Sequence, residues 1–479
     1  MNGINIIFTA LTGHLKWLLF LSVFSLLSAC GGAPDSDTQA PVITFNGEAD
    51  IAAIQGRDYT DPVTATDNVD GAVAVTITGE IDTSTLGNYE VTYTATDAAG
   101  NQATVTRNIT VREALPFITT WKTDNYGASE DNQTTISTTT SNQNYTVDWG
   151  DGSQDAGVAG EITHTYASAG IYTVSISGVF KNIAFATPFG PETDSQKLLT
   201  IEQWGDTQWS TMQSAFRGAI NLVLNASDVP DLSNVTDMSD MFFNAINFNG
   251  DISGWDVTSV TDMSSMFGGA SVFNSDISQW DVSSVTDMGA MFGSASAFNG
   301  DISGWDVSAV TDMSWMFYGT SVFNGDISGW DVSSVTEMSY MFYEASAFNG
   351  DVGGWDVSSV TSMSWMFYRA SVFNGDISGW DVSSVTNMSW MFDSAYAFNR
   401  DISGWDVSSV TDMASMFYYV TLSTQNYDAL LQGWSSKVLQ PSVYFSGGNS
   451  QYSSAAQAAR DALVNTYGWN VTDGGLEAQ

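Results

Sequence analysis

Phe248-Asn249-Gly250-Asp251-Ile252-Ser253-Gly254-Trp255-Asp256-Val257, running on to Met263-Ser264-Ser265-Met266-Phe267, is the stretch whose reading decides the fold. Its tryptophan returns as Trp280, Trp305, Trp330, Trp355, Trp380 and Trp405, always 25 residues on. A fixed period of about 20–50 residues is the mark of a solenoid, whose units cannot bury an apolar face alone and so stack on one another. The question of function thereby moves from catalysis towards surface recognition.

Within one unit, Phe248 and Ile252 share one side of an extended segment, while Asn249, Asp251 and Ser253 point the other way. After a bend at Gly254, Trp255 re-enters the core, and Asp256-Val257-Thr258-Ser259 suits a turn. Thr261 reads as the N-cap of a short helix with Asp262 in its first turn. Met263, Met266, Phe267 and Ala270 then lie at i, i+3, i+4 and i+7, one helical face. The expectation is an α/β solenoid of leucine-rich-repeat type over 238–417. A degenerate copy at 198–237, where Met212–Phe216 echoes Met238–Phe242, reads as its N-terminal cap. Residues 418–475 read as an α/β C-terminal cap. Its helices are expected over 424–434 and 454–467, the second opened by a Ser454-Ala455-Ala456-Gln457 capping box. Ser442-Val443-Tyr444-Phe445 between them reads as a strand.

The positions that vary between units carry the sharpest functional expectation. Two and five places after the first Met, helical geometry points outward, and four consecutive units place aromatics there. Trp315, Tyr340, Trp365 and Trp390 form one expected strip, with Tyr318, Tyr343 and Tyr368 beside it. Exposed aromatic patches mark interaction sites, and Trp and Tyr are enriched among binding hot spots. These seven residues are the candidate ligand-binding set, for a glycan or a partner protein. The competing reading is that the rings pack flat on one another and bind nothing.

Paired carboxylates raise the question of a glycosidase. Here they form columns, Asp251 to Asp401 and Asp256 to Asp406, identical in every unit, whereas an active site is one local constellation. The chain has one cysteine and two histidines, so neither a Ser-His-Asp set nor a thiol or histidine metal cluster is expected. The chain is therefore expected not to be an enzyme. Stacked carboxylates about 4.8 Å apart would repel by about 1 kcal/mol per neighbouring pair even in water. Backbone amides, Ser253-type hydroxyls, cations or salt must absorb that charge, and calcium is one candidate. Asp67, Asp70 and Asp97, in loops of the N-terminal region, invite the same oxygen-ligand reading.

Twelve Lys+Arg against 53 Asp+Glu give a formal charge of −41, which excludes a nucleic-acid groove as an expected feature. The single cysteine, Cys30, ends Leu27-Ser28-Ala29-Cys30 after an apolar run from Trp17 that is too short to span a bilayer. The string resembles a bacterial lipobox. The resemblance implies a signal peptide at 1–29, lipidation of Cys30 and anchoring in the outer membrane or at the cell surface. Residues 30–40 then read as a linker.

Two β-sandwich modules are expected between linker and solenoid. Over 41–112, β-rich runs alternate with turn clusters. Ala65-Thr66-Asp67-Asn68-Val69-Asp70-Gly71 and Thr94-Ala95-Thr96-Asp97-Ala98-Ala99-Gly100-Asn101 resemble bacterial Ig-like and hyalin-repeat domains. Over 116–185, Asp148-Trp149-Gly150-Asp151-Gly152, His164-Thr165-Tyr166 and Gly170-Ile171-Tyr172 resemble a PKD domain. His164 is read as a packed or turn residue, not a ligand. The repeats with Trp-Asp-Val-Ser-Ser-Val-Thr-Asp-Met resemble BspA-like leucine-rich-repeat surface lipoproteins. That resemblance implies a surface binding or adhesion protein presenting its solenoid on an Ig-like stalk. The alternatives are a structural envelope spacer and, further off, a polysaccharide-active protein.

Overall fold

Alternation of Val, Ile, Tyr and Thr builds the N-terminal strands in a computed structural model that describes residues 37–45, 52–140, 143–185 and 193–478. Cys30 and the signal segment 1–29 lie outside the described residues. The chain divides into two units, Met1–Glu113 and Ala114–Gln479.

The first unit carries β1 (Val42–Phe45), β2 (Ala52–Ile54), β3 (Val63–Asp67), β4 (Gly71–Val73), β5 (Val75–Thr78), β6 (Gly87–Thr96) and β7 (Gln102–Arg112). Two sheets form, ordered β1-β3-β4 and β2-β7-β6-β5. The long antiparallel pair β6–β7 runs from Gly87 opposite Val111 to Thr96 opposite Gln102. Its period of two sends Val91, Tyr93, Ile109 and Val111 inward with Ala53. Residues 37–40 of the expected linker belong with this unit, because the Asn101 side-chain amide donates to the Asp37 carbonyl at 3.1 Å.

The second unit opens with β8 (Phe117–Lys122), β9 (Gln133–Ile136), β10 (Asn144–Asp148), β11 (Gln154–Val158), β12 (Ile162–Thr165), β13 (Ile171–Val179), β14 (Leu198–Gln203) and β15 (Val223–Leu224). One sheet has the order β11-β10-β13-β8-β14-β15, and β9 pairs with β12. Strand β14 lies antiparallel to β8 and parallel to β15, so segments 116–185 and 198–237 share one sheet. They also share one apolar core with the repeats, through Trp121, Trp204, Trp209 and Phe216. His164 is stacked on Trp149 at 4.7 Å and bonded through Nε2 to Asp151 at 3.0 Å.

The repeats depart from the leucine-rich-repeat expectation. Between Leu224 and Thr424 the described residues form turns and isolated bridges, with no helix and no strand. Met263–Ala270 shows why. Its amides alternate between two partners. Met263, Ser265, Phe267 and Gly269 donate to the next coil, at Asp287, Gly289, Met291 and Gly293. Met266, Gly268 and Ala270 close turns on Met263, Ser265 and Phe267. Ser265 (φ 56°) and Gly269 (φ 72°) sit at the third place of two successive turns, a left-handed position that interrupts any helix. The apolar spacing that mimics a helical face is thus produced by paired turns, each turn directing one side inward.

Stacking fills the interior. Phe242, Phe267, Phe292, Phe317, Phe342, Phe367, Phe392 and Phe417 form a column with successive ring centroids 5.4 to 5.9 Å apart. Trp280 and its repeats donate Nε1–H to a carbonyl 28 residues earlier, Ile252 for Trp280 at 3.1 Å. Thr261, expected as an N-cap, instead donates its hydroxyl to the Thr236 carbonyl of the preceding coil at 3.1 Å. An asparagine ladder runs outside: Asn249 Oδ1 accepts from the Asn274 amide at 2.8 Å, and the pattern continues to Asn399, which accepts from Ser423 at the cap.

The cap comprises α1 (Thr424–Ser435), β16 (Tyr444–Ser446), α2 (Gln457–Asn465) and β17 (Asn470–Thr472). Ser423 caps α1 by accepting from the Asn426 amide. The expected capping box of the second helix does not form. Helix α2 begins at Gln457, and its N-cap position, Ala456, has no side-chain bond. Ser453 turns the chain there, accepting from the Ala455 amide while donating to Asp428.

Candidate functional site

The two αL places of each coil recur through the array. The first is held by Asp240, Ser265, Ala290, Trp315, Tyr340, Trp365, Trp390 and Ser415, all with φ between 55° and 62°. Left-handed backbone at a non-glycine residue costs about 1–2 kcal/mol, and bulky residues rarely adopt it. Four consecutive coils place Trp or Tyr there. Strained backbone of this kind clusters at functional sites.

The turn aims these side chains outward, as the helical reading expected for a different reason. Trp315 stacks on Tyr340 at 3.9 Å, Tyr340 on Trp365 at 5.7 Å, and Trp365 on Trp390 at 4.5 Å, all near parallel. The second column, Tyr318 on Tyr343 on Tyr368, is spaced at 4.7 and 4.5 Å. All seven candidate residues therefore come together in two adjoining columns. The rings lie flat on one another, and none is fully buried. Each ring offers its edge to solvent. Trp315 is 39% exposed, and the coil before it carries only Ala290 and Gly293, so one indole face has no ring over it.

The columns are bounded by polar groups. Arg369 pairs with Glu344 at 2.8 Å and lies 5.2 Å from the Tyr368 ring. Asp393 takes the place of the next Tyr and is buried, its carboxylate accepting from the Ser394 hydroxyl; burial pushes its carboxyl above the usual range. At the far end Tyr418 meets Trp390 edge-on at 6.5 Å. There the strip adjoins a groove of about 260 Å³ lined by Ser415, Tyr418, Tyr444, Phe445, Asn470 and Thr472. The aromatic position of Tyr418 was legible in the repeat. Tyr444, Asn470 and Thr472 were not, because they reach the array only through the cap strands β16 and β17.

The acid columns have structural employment. Asp251 Oδ1 accepts both the amide and the hydroxyl of Ser253, at 3.0 and 2.7 Å. Asp256 does the same for Thr258. A third set, Asp262 with Ser264, repeats the turn on the bridged edge of the coil. The serine hydroxyl and then its amide hold Asp251, Asp301 and Asp376 below the usual carboxylate range. For Asp276 the Ser278 amide contributes most, and repulsion from Asp301 and Asp251 is the smallest influence. Local hydrogen bonds thus absorb the column charge. Asp287, on the bridged edge, is raised by burial.

These shifts set an acid limb. An acid whose folded-state value is depressed stabilises the fold above the unfolded value, near pH 4, and loses that contribution as pH falls through the folded value. The lowered acids outnumber raised ones such as Asp287, so the repeat region is expected to melt at progressively lower temperature as pH falls below about 4. Thermal scans followed by near-ultraviolet circular dichroism check this, and a melting point that climbs on acidification contradicts it.

In the first unit, Asp67 and Asp97 do come together, with Asp37 as their third member in place of the expected Asp70. Asp70 is engaged elsewhere, accepting from the Ala98 amide at 2.6 Å.

Residues 43–111 match the family model of the bacterial surface protein Ig-like domain. Residues 210–328 and 311–434 match the model described as Mycoplasma protein of unknown function, DUF285. The chain is accordingly a bacterial surface protein with an Ig-like domain and a DUF285 repeat region. No curated protein matches it. A solved lipoprotein of Bacteroides thetaiotaomicron is similar at 20% identity, over 28% of this chain and 60% of that one. Its TM-score is 0.15. Among the described residues no helix is long and apolar enough to cross a membrane.

Proposed function

We propose that the chain is a lipid-anchored surface binding protein of BspA-like type, acting by adhesion and without catalysis. Cys30 provides the anchor, the Ig-like and PKD-like segments serve as the support, and the outer aromatic columns contact a glycan or a partner protein. The observation that carries this reading is the placement of Trp315, Tyr340, Trp365 and Trp390 at a left-handed backbone position that other coils give to Asp, Ser or Ala. A purely structural spacer would gain only the stacking between these rings, at a backbone position that four other coils fill without any ring. The uncovered face of Trp315 and the groove beside Tyr418 supply stacking surfaces next to hydroxyl and amide groups, which suits a sugar ring or an aromatic side chain.

Glycan and protein arrays probed with the full chain test the proposal. Binding is expected to fall by about tenfold or more in a Trp315→Ser, Trp365→Ser, Trp390→Ser variant, since hot-spot residues contribute about 2 kcal/mol or more each. Undiminished binding by a variant with unchanged circular dichroism rejects the strip as the contact surface. A glycan hit lost in the variant identifies the ligand class, as does a protein hit.

A further inference from the structure

We propose that Asp37, Asp67 and Asp97 form a calcium site that fastens the segment preceding β1 to two loops of the Ig-like unit. Asp67 ends β3, Asp97 directly follows β6, and Asp37 stands five residues before β1, so three separate stretches meet at one place. One carboxylate oxygen from each lies within 4.8 Å of the others. Calcium binds oxygen ligands at about 2.3–2.6 Å, so ligands on opposite sides of the ion stand about 4.6–5.2 Å apart. The spacing fits a shared ion.

A cluster of acids alone would not argue for a metal; the unsatisfied oxygens do. Asp67 is 9% exposed. Its Oδ1 accepts from the amides of Val69 and Asp70, at 2.8 and 3.0 Å. Its Oδ2 is buried and has no hydrogen-bond partner, and the same holds for Asp37 Oδ2. Two buried, unpartnered carboxylate oxygens beside a third carboxylate are costly unless a cation meets them. The remaining lone pairs are arranged to hold the ligands still. Asn101 donates its amide to Asp97 Oδ1 and its side chain to Asp97 Oδ2, each at 2.7 Å, as well as to the Asp37 carbonyl. Asp70 ties the two loops together by accepting from Ala98. Hard oxygen donors and the lack of any sulfur or imidazole in the set select calcium over zinc.

The ion would fasten residues 37–41 to the folded unit, so calcium controls how firmly the segment before β1 is held. Equilibrium dialysis of the EDTA-treated full chain against calcium tests this, with comparison of wild type, Asp37→Asn and Asp82→Asn, whose acid lies in the turn between β5 and β6, outside the cluster, and accepts from Ser84 and Thr85. Asp37→Asn keeps the side-chain bond that Asp37 accepts from the Gln39 amide, and so preserves the local turn. One saturable site is expected in the range of extracellular modules, about 10⁻⁴–10⁻³ M. Asp37→Asn should weaken it by about tenfold or more, Asp82→Asn should leave it unchanged, and circular dichroism should be alike in all three. Protease cleavage between Asp37 and Val42 should slow in calcium for the wild type and for Asp82→Asn, and not for Asp37→Asn. The proposal is overturned by no saturable binding at about 10 mM calcium. Equal affinity in Asp37→Asn also overturns it, since any sites on the acid columns of the repeats would survive that change.

Discussion

Trp330→Ala is expected to destabilise the second unit by about 3–5 kcal/mol, the range for removing a large buried aromatic side chain. Trp330 is 4% exposed. Its indole contacts Phe317 at 6.3 Å and Trp355 at 6.4 Å, and Nε1 donates to the Ile302 carbonyl at 3.1 Å. Truncation opens a cavity between stacked coils that neither neighbour can close, because both coils are held by the same inter-coil bonds. It also removes one of the two donors to the Ile302 carbonyl, which keeps only the Trp305 amide at 3.2 Å. Urea unfolding monitored at the remaining tryptophans measures the loss. Trp365→Ser on the outer strip provides the contrast: it gives up two stacking contacts of about 0.5–1.5 kcal/mol each but relieves part of a strained backbone. A loss at Trp365 as large as that at Trp330 would mean that the strip is core, and would remove the reason for assigning it a ligand.

Lys197→Met should be similarly damaging, by about 3–5 kcal/mol, as expected when one member of a buried pair is removed. Lys197 is fully buried, and its ammonium donates to the carbonyls of Ser129, Glu130 and Gln133 and to the Ser129 hydroxyl, at 2.8 to 3.1 Å. Asp194, also buried, lies 3.8 Å away and accepts from the Ser129 and Thr135 amides. The pair ties the loop before β9 to the start of β14, where the sheet passes into the repeats. Burial lowers the Lys197 value, but the neighbouring acids oppose that shift. Without the ammonium, Asp194 remains as an uncompensated buried charge and three carbonyls each lose one donor, Glu130 keeping the Gln133 amide. Adding Asp194→Asn should recover part of the loss, because the amide still accepts but carries no charge. Differential scanning calorimetry of the single and double variants decides the matter; equal stability of wild type and Lys197→Met would show that the pair contributes nothing net.

The period of 25 determined by itself that the chain stacks, which residues face inward, and which columns recur. Phe248, Ile252, Trp255, Met263, Met266 and Phe267 are all buried, as the pattern implied. The aromatic strip was equally legible, because strict repetition converts a sequence offset into a neighbour in space. Tertiary structure decided how the backbone achieves this. Met263–Ala270 has the spacing of a helix, and the sequence carries no glycine at Ser265 to announce a left-handed turn. Only the stacked coil, which offers carbonyls at Asp287, Gly289 and Met291 to alternate amides, makes paired turns better than i→i−4 bonding. The same holds for Asp37. Thirty residues separate it from Asp67 and another thirty from Asp97, no local pattern links them, and only the closure of the two sheets brings their oxygens together. Local periodicity specifies contacts that recur at one fixed separation, whereas contacts made once, between distant stretches, depend on the free energy of the whole fold.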